Sequence, residues 1–338
     1  GVDSAGAWKL PAHARFERAL AQWAERPLLE FALAESEFAT ARSLEAELVD
    51  ECTRFEALCR NATGWLRLEA GELDLAKDAF RSMEKLLPGG MGLELPGRLR
   101  AGTRGLAEVA MEHVRRDELE SAAKLYAELH KYQRDEVEWA ARAGATYRDA
   151  AERSTLLALD CRLAAEGRVT DPRRLAALRE RASIPIKAEG AALATEFRLA
   201  ADERSKKARK WFETSRACFL DALRLTPNDA RLMNDAALIA IYHLGTDLDD
   251  AESLLKRSIT VAQKTLAATT QDELARNAST QALGDAHEYL GLLYLERKND
   301  AAKAVQFFET ALKIGPGPRP AISESYLPRC RELLRPRN

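Results

Sequence analysis

The chain has 338 residues, and its 51 basic and 53 acidic side chains nearly cancel to a net charge of −2. No global field therefore selects for nucleic acid or an anionic membrane, and no apolar run approaches the ~18 to 20 residues of a membrane span. Long runs rich in Ala, Leu, Glu and Arg, without any alternating strand pattern, make an all-α protein the expectation.

Residues 1–10 carry Gly, Ser and Asp and read as a flexible arm, with Pro11 placed to open the first helix. The chain begins with Gly1 and not Met, without a signal-peptide pattern, so a leader, an anchor or a preceding domain is expected upstream. Cytoplasmic residence is the default, which such a leader would change to a periplasmic or envelope-anchored setting. Pro27 restarts the helical pattern. From Leu28 to Glu69 the apolar stripe Phe31, Phe38, Ala41, Leu44, Leu48, Cys52, Phe55, Leu58 and Ala62 predicts one helix of about 60 Å, with a kink possible at Ala39–Ser43. Pro88, Gly89, Gly90, Gly92, Pro96 and Gly97 make the clearest loop.

A second long helical run spans Arg134–Glu166, and Gly167 closes it. Asp171 before Pro172 and Ser183 before Pro185 read as two helix starts, giving a short helix over Arg173–Arg181 and then about 40 residues to Leu225. Asn228 and Asp229 cap the next segment. Thr270 with Glu273 forms a capping box, so a turn falls near Thr269 and a helix begins at Gln271. Gly315 to Pro320 is a stop, and Pro328–Leu334 adds a short terminal helix. The absence of a mid-chain linker rich in Pro, Gly and Ser favours one elongated domain over 11–316, followed by a tail over 317–338.

The organising stretch is Gly284–Pro316, with Leu290, Gly291 and Tyr294 in one helix and Ala304, Phe308, Ala311 and Pro316 around the next. Gly291 permits close approach, the two rings fill the gap, Ala304 avoids splaying the helices, and Pro316 stops the second one. This arrangement resembles the tetratricopeptide repeat, Leu-Gly-x-x-Tyr followed by Ala-x-x-x-Phe on a period near 34 residues. The resemblance extends to 57–90 through Gly64, Gly71, Ala76, Phe80 and Pro88, with Arg67 where the family has Tyr. It extends to 230–263 through Tyr242, the Gly245–Asp247 turn, Ala251, Leu255 and Ile259, and more weakly to 98–131 through Ala110, Ala122 and Tyr126. Ser215, Phe219, Ala222 and Pro227 read as a second half without a first half. The resemblance implies a right-handed α-α solenoid of helix pairs, some of them unusually long.

In the family the first helix of each pair lines a concave groove that holds a partner peptide or helix. Carried over, the groove positions are Asn61, Trp65 and Leu68, then Arg104, Met111 and Val114, and finally Met233, His243, Asp285, Glu288 and Leu292. Family members that hold chaperone C-terminal carboxylates use a Lys/Asn clamp. Only Asn61 fits that pattern, and Asp285 and Glu288 would repel a carboxylate. A mixed groove suits an extended segment or an amphipathic helix.

Chemistry is not expected. His13, His113, His130, His243 and His287 fall in separate segments without metal-ligand spacing, and neither a phosphate cradle nor a nucleophile elbow occurs. Cys52, Cys59, Cys161, Cys218 and Cys330 lack paired spacing and read as reduced, mostly core residues. The run Arg204, Lys206, Lys207, Arg209, Lys210 beside Trp211 is either a solvated face or a docking patch. The expectation is thus a non-enzymatic scaffold without cofactor or metal that binds a protein or peptide, neither nucleic acid nor membrane. A peptide-sensing or regulatory module of a larger enzyme or secretion machine is the alternative, and self-assembly through the long helices is another.

Overall fold

In the computed structural model, residues 4–88, 95, 99–185, 187–268, 272–314 and 319–335 are described. The elements in this region are helices, and they pair in chain order. The loop glycines 89, 90, 92 and 97, Pro96, Thr269, Thr270, Gln271, Gly315 and Pro316 lie outside the described residues. The chain divides at the polar link around Asp135 into two compact units, Gly1–Asp135 and Glu136–Asn338, in place of the single domain over 11–316.

The first unit contains three helix pairs: α1 (Ala5–Ala21) with α2 (Leu28–Leu44), α3 (Val49–Glu69) with α4 (Leu73–Leu86), and α5 (Gly102–Arg115) with α6 (Leu119–Tyr132). The flexible arm is corrected here, because α1 starts at Ala5 and takes Pro11 into its interior. Burial of Ala5, Ala12, Phe16 and Ala19 along one face offsets the cost of an interior proline. The single helix over 28–69 is also corrected. The backbone turns at Glu45 (φ −142°, ψ 116°) and through a 3₁₀ turn at Ala46–Leu48, slightly beyond the anticipated kink. Phe38 and Phe55 then stack with centroids 5.0 Å apart, a contact that 17 residues of continuous helix, about 25 Å of rise, would forbid. Phe80 is the wedge of this unit. Its ring fills the space that a Cβ on either Gly64 or Gly105 would enter, at 2.6 and 2.4 Å respectively.

The second unit begins with α7 (Val137–Ala165) and α9 (Gly190–Leu225), the latter 36 residues and about 54 Å long. Asp171 caps the short α8 (Pro172–Arg181) by accepting from the Arg173 and Arg174 amides, as expected. Ser183 does not start a helix: it adopts φ 58° just after α8, and α9 begins at Gly190 instead. Next come α10 (Ala230–Leu238), continued by a π-turn over Ile239–Leu244, and its partner α11 (Leu248–Ala268). The last pair is α12 (Glu273–Leu292), continued by a second π-turn over Leu293–Arg297, and α13 (Ala301–Ile314). Asp272 caps α12 by accepting from the Ala275 amide. A turn over Ala321–Tyr326 leads into α14 (Leu327–Leu333), which buries Leu327 and Cys330 on the final pair.

The half-repeat around Phe219 has its first half after all. The Ser215 hydroxyl donates to the Gly144 carbonyl at 2.6 Å, and a Cβ on Gly144 would sit 3.0 Å from the Phe219 ring. Gly144 and the buried Tyr147 reproduce Gly-x-x-Tyr. The pair is interrupted by a helical extension that the hydrogen bond from Ser154 Oγ to the Arg204 carbonyl, 2.9 Å, still holds in register. Its tip has a small core of its own, built on Leu157, Cys161, Leu178, Ile184 and Phe197.

Among the described residues no helix is long and apolar enough to cross a membrane. The cysteines carry no disulfide, four are buried, and Cys218 is half-buried with its thiol pushed up to about 11 by burial.

Candidate functional site

A cleft of about 670 Å³ opens on the first helices of the second and third pairs of the first unit. The α3 wall supplies Trp65, Leu68 and Glu69, and the α5 wall supplies Glu108, Glu112 and Arg115. Leu99 and Arg100, arriving just before α5, close one end. Gly71 permits the turn at the end of α3 with φ 75°, and Arg116 of the α5 end reaches its carbonyl at 3.5 Å.

The carboxylates of the cleft are engaged from within the chain. The Trp23 indole donates to both oxygens of Glu69, at 3.3 and 3.0 Å. Arg104 pairs with Glu108 at 2.9 Å. Arg115 and Arg116 both reach Glu112, and their hydrogen bonds hold its carboxyl below the usual range. Arg100 differs. Its carbonyl accepts from Asn61 Nδ2 at 2.8 Å and from Trp65 Nε1 at 3.2 Å, which fixes its backbone. Its guanidinium lies 5.8 Å over the Trp65 ring, and among the described residues no carboxylate comes within ion-pair distance of it.

This cleft gathers Trp65 and Leu68 of the sequence-derived groove, while the exposed Arg104 borders it through Glu108. Met111 is half-buried and Val114 exposed on the same helix. Asn61 is corrected: it is fully buried and tied to Arg100, so it serves the loop crossing and not a partner. Met233 and Leu292 are corrected likewise, for they are core residues, 0% and 3% exposed, beneath their helices. Asp285 and Glu288 do lie on the first helix of the last pair, but Arg319 takes both, at 2.9 Å from Asp285 and with a hydrogen bond to Glu288. His243 stacks on Phe212 with centroids 3.7 Å apart. Its burial, with Arg148 nearby, lowers its pKa to about 4.

Tyr242 departs from its expected place between the helices and is 57% exposed. The π-turn over Ile239–Leu244 adds a residue to the turn, so Ile241 faces the core and Tyr242 faces out. The basic run lies on α9 just beyond the helical extension, where Lys207 sits 4.6 Å over Trp211 and Arg209 pairs with Glu213. Leu99 and Arg100 were invisible to sequence reasoning, since a segment between helices carries no periodicity that ties it to α3. Among the described residues no three His, Cys, Asp or Glu side chains gather as a metal site.

Fold and site together define a helical-repeat protein of tetratricopeptide-like pairs with an open cleft. No protein-family description matches the sequence, and no curated protein matches it. Among solved structures, the chain is similar to an IFIT1 monomeric mutant with Gppp-AAAA, at 11% identity and a TM-score of 0.41, over 94% of this chain. It spans 58% of that longer chain. It is also similar to BtubC (BKLC) from P. vanneervenii, at 15% identity and a TM-score of 0.34, over 90% of this chain and 95% of that one. A tetratricopeptide repeat protein from Parabacteroides merdae matches at 13% identity and a TM-score of 0.24, over 95% and 99%.

Proposed function

We propose that this protein is a non-enzymatic interaction scaffold that receives a segment of a partner polypeptide in the cleft between α3 and α5. The observation that supports this reading is the cleft itself: about 670 Å³, walled by Trp65, Leu68 and Leu99, with charged groups at its edges. Tryptophan and arginine side chains are favoured interface anchors, and a preformed concavity lowers the ordering cost of binding. Its glutamates are engaged by Trp23, Arg104, Arg115 and Arg116, which suits recognition better than proton transfer.

The test is crosslinking. With a photoreactive side chain at position 68 in the full chain, the reading expects partner polypeptide adducts that a Trp65→Ala substitution diminishes. Adducts of equal yield from an exposed position elsewhere, such as 274, would sink it.

A further inference from the structure

Among the described residues, Arg100 is the arginine of the cleft with no carboxylate within ion-pair distance. Arg115 and Arg116 share Glu112 and the bordering Arg104 pairs with Glu108, whereas Arg100 lies over the Trp65 ring. Its backbone is pinned by two hydrogen bonds and its guanidinium by the ring face, so the donor array is held in place before any ligand arrives. Leu68 and Leu99 line the same cleft. Resting on the reading of the cleft as a receiving place for a polypeptide, we propose that the segment it takes carries an Asp or Glu side chain for Arg100, next to an apolar residue that packs on Leu68 and Leu99.

The charge balance selects a single carboxylate. With the bordering Arg104, the described residues set Arg100, Arg104, Arg115 and Arg116 against Glu69, Glu108 and Glu112, an excess of one positive charge. A polyphosphate or nucleic acid would also meet the three glutamates. A basic segment would have to break the existing Arg–Glu pairs to reach those carboxylates, and would leave Arg100 facing a like charge. One carboxylate supplies the partner that Arg100 lacks among the described residues without disturbing the other pairs, and a guanidinium fork matches it with two parallel hydrogen bonds.

The experiment uses the full chain, labelled with ¹⁵N at tryptophan, with the Trp65 indole signal assigned from a Trp65→Phe sample. Three pools of N-acetylated, C-amidated octapeptides are titrated. Each has a fixed central residue, Glu, Gln or Lys, flanked by randomised Leu, Ile, Val, Phe and Met, so no terminal carboxylate is present. The expected result is a saturable shift of the Trp65 signal with the Glu pool, at least tenfold tighter than with either other pool. In Arg100→Met, whose stem still covers the ring, that preference falls at least tenfold at an unchanged melting temperature. Equal binding of the Gln or Lys pool overturns the acidic assignment and leaves the cleft as a receiving place. So does an undiminished Glu preference in Arg100→Met. A Trp65 signal that no pool moves overturns both readings. The pool comparison stands on the unmodified chain even if the variant folds poorly.

Discussion

Replacing Gly291 with Ala reverses the usual sign of a glycine-to-alanine change. In an open helix the added methyl stabilises by about 0.5 to 1 kcal/mol, because alanine surrenders less backbone freedom. At Gly291 a Cβ would lie 2.4 Å from Phe308 Cε1 and 2.6 Å from Cδ1. Phe308 is fully buried and stacked on Tyr326 at 5.3 Å, so the ring cannot simply withdraw. Overfilling of this kind costs about 1 to 3 kcal/mol, which leaves a net loss of up to about 2.5 kcal/mol after the propensity gain. Urea unfolding gives the total, and hydrogen exchange confines it to α12 and α13. Trimming the obstacle with Phe308→Leu makes a double-mutant cycle in which the two changes couple favourably by about 1 kcal/mol. Gly144→Ala, at 3.0 Å from Phe219, is the milder sibling and loses less. A Gly291→Ala protein more stable than the parent, or zero coupling with Phe308→Leu, would refute the close-packed pair.

Arg319→Ala leaves Asp285 and Glu288 facing each other beside a vacated, nearly buried site, and should cost about 3 kcal/mol in urea unfolding. Neutralising both carboxylates as well should return most of that loss. Acid titration tests Glu252: burial raises its pKa, but hydrogen bonds from Lys256, Lys298 and Tyr294 outweigh this and hold it at about 2. Its contribution to stability is therefore present above the unfolded value near 4.5 and is lost as pH falls from there towards 2, a slope that Glu252→Gln should flatten. His243, lowered to about 4, adds a second loss between pH 6.5 and 4, because the unfolded chain takes up the proton first. An NMR titration of its ring that gives a midpoint near 6.5 would contradict the stacked, buried geometry. Finally, Ser154 and Arg204 touch across the helical extension, so replacing residues 155–203 with a short turn should leave the Gly144–Phe219 pair folded. Loss of cooperative unfolding in that deletion would show that the extension props up the repeat.

The sequence revealed helix pairing where a glycine and a ring sit 16 or 17 residues apart, as at Gly64 with Phe80 and Gly291 with Phe308. It failed at Gly144, whose signature with Tyr147 is intact, because 71 residues separate Gly144 from its partner Ser215 and hide the period. The groove was half legible. Trp65 and Leu68 follow from helix phase, but Asn61 is covered by a crossing segment whose path no periodicity encodes. Met233 and Leu292 were misassigned because one helical step, about 100°, separates the face towards solvent from the face towards the neighbouring pair. Tyr242 was displaced by a π-turn, a one-residue slip that composition does not announce.

The interrupted repeat also sets a clock for the nascent chain. The face of α7 around Gly144 waits for Ser215 and Phe219, whereas Gly291 meets Phe308 after only 17 residues. At about 5 to 20 residues per second of synthesis, the first wait lasts roughly 4 to 14 s and the second about 1 to 3 s. For that interval the small, apolar surface of α7 stands without its partner. The middle of this chain is where a ribosome-associated holdase has the longest opportunity to bind.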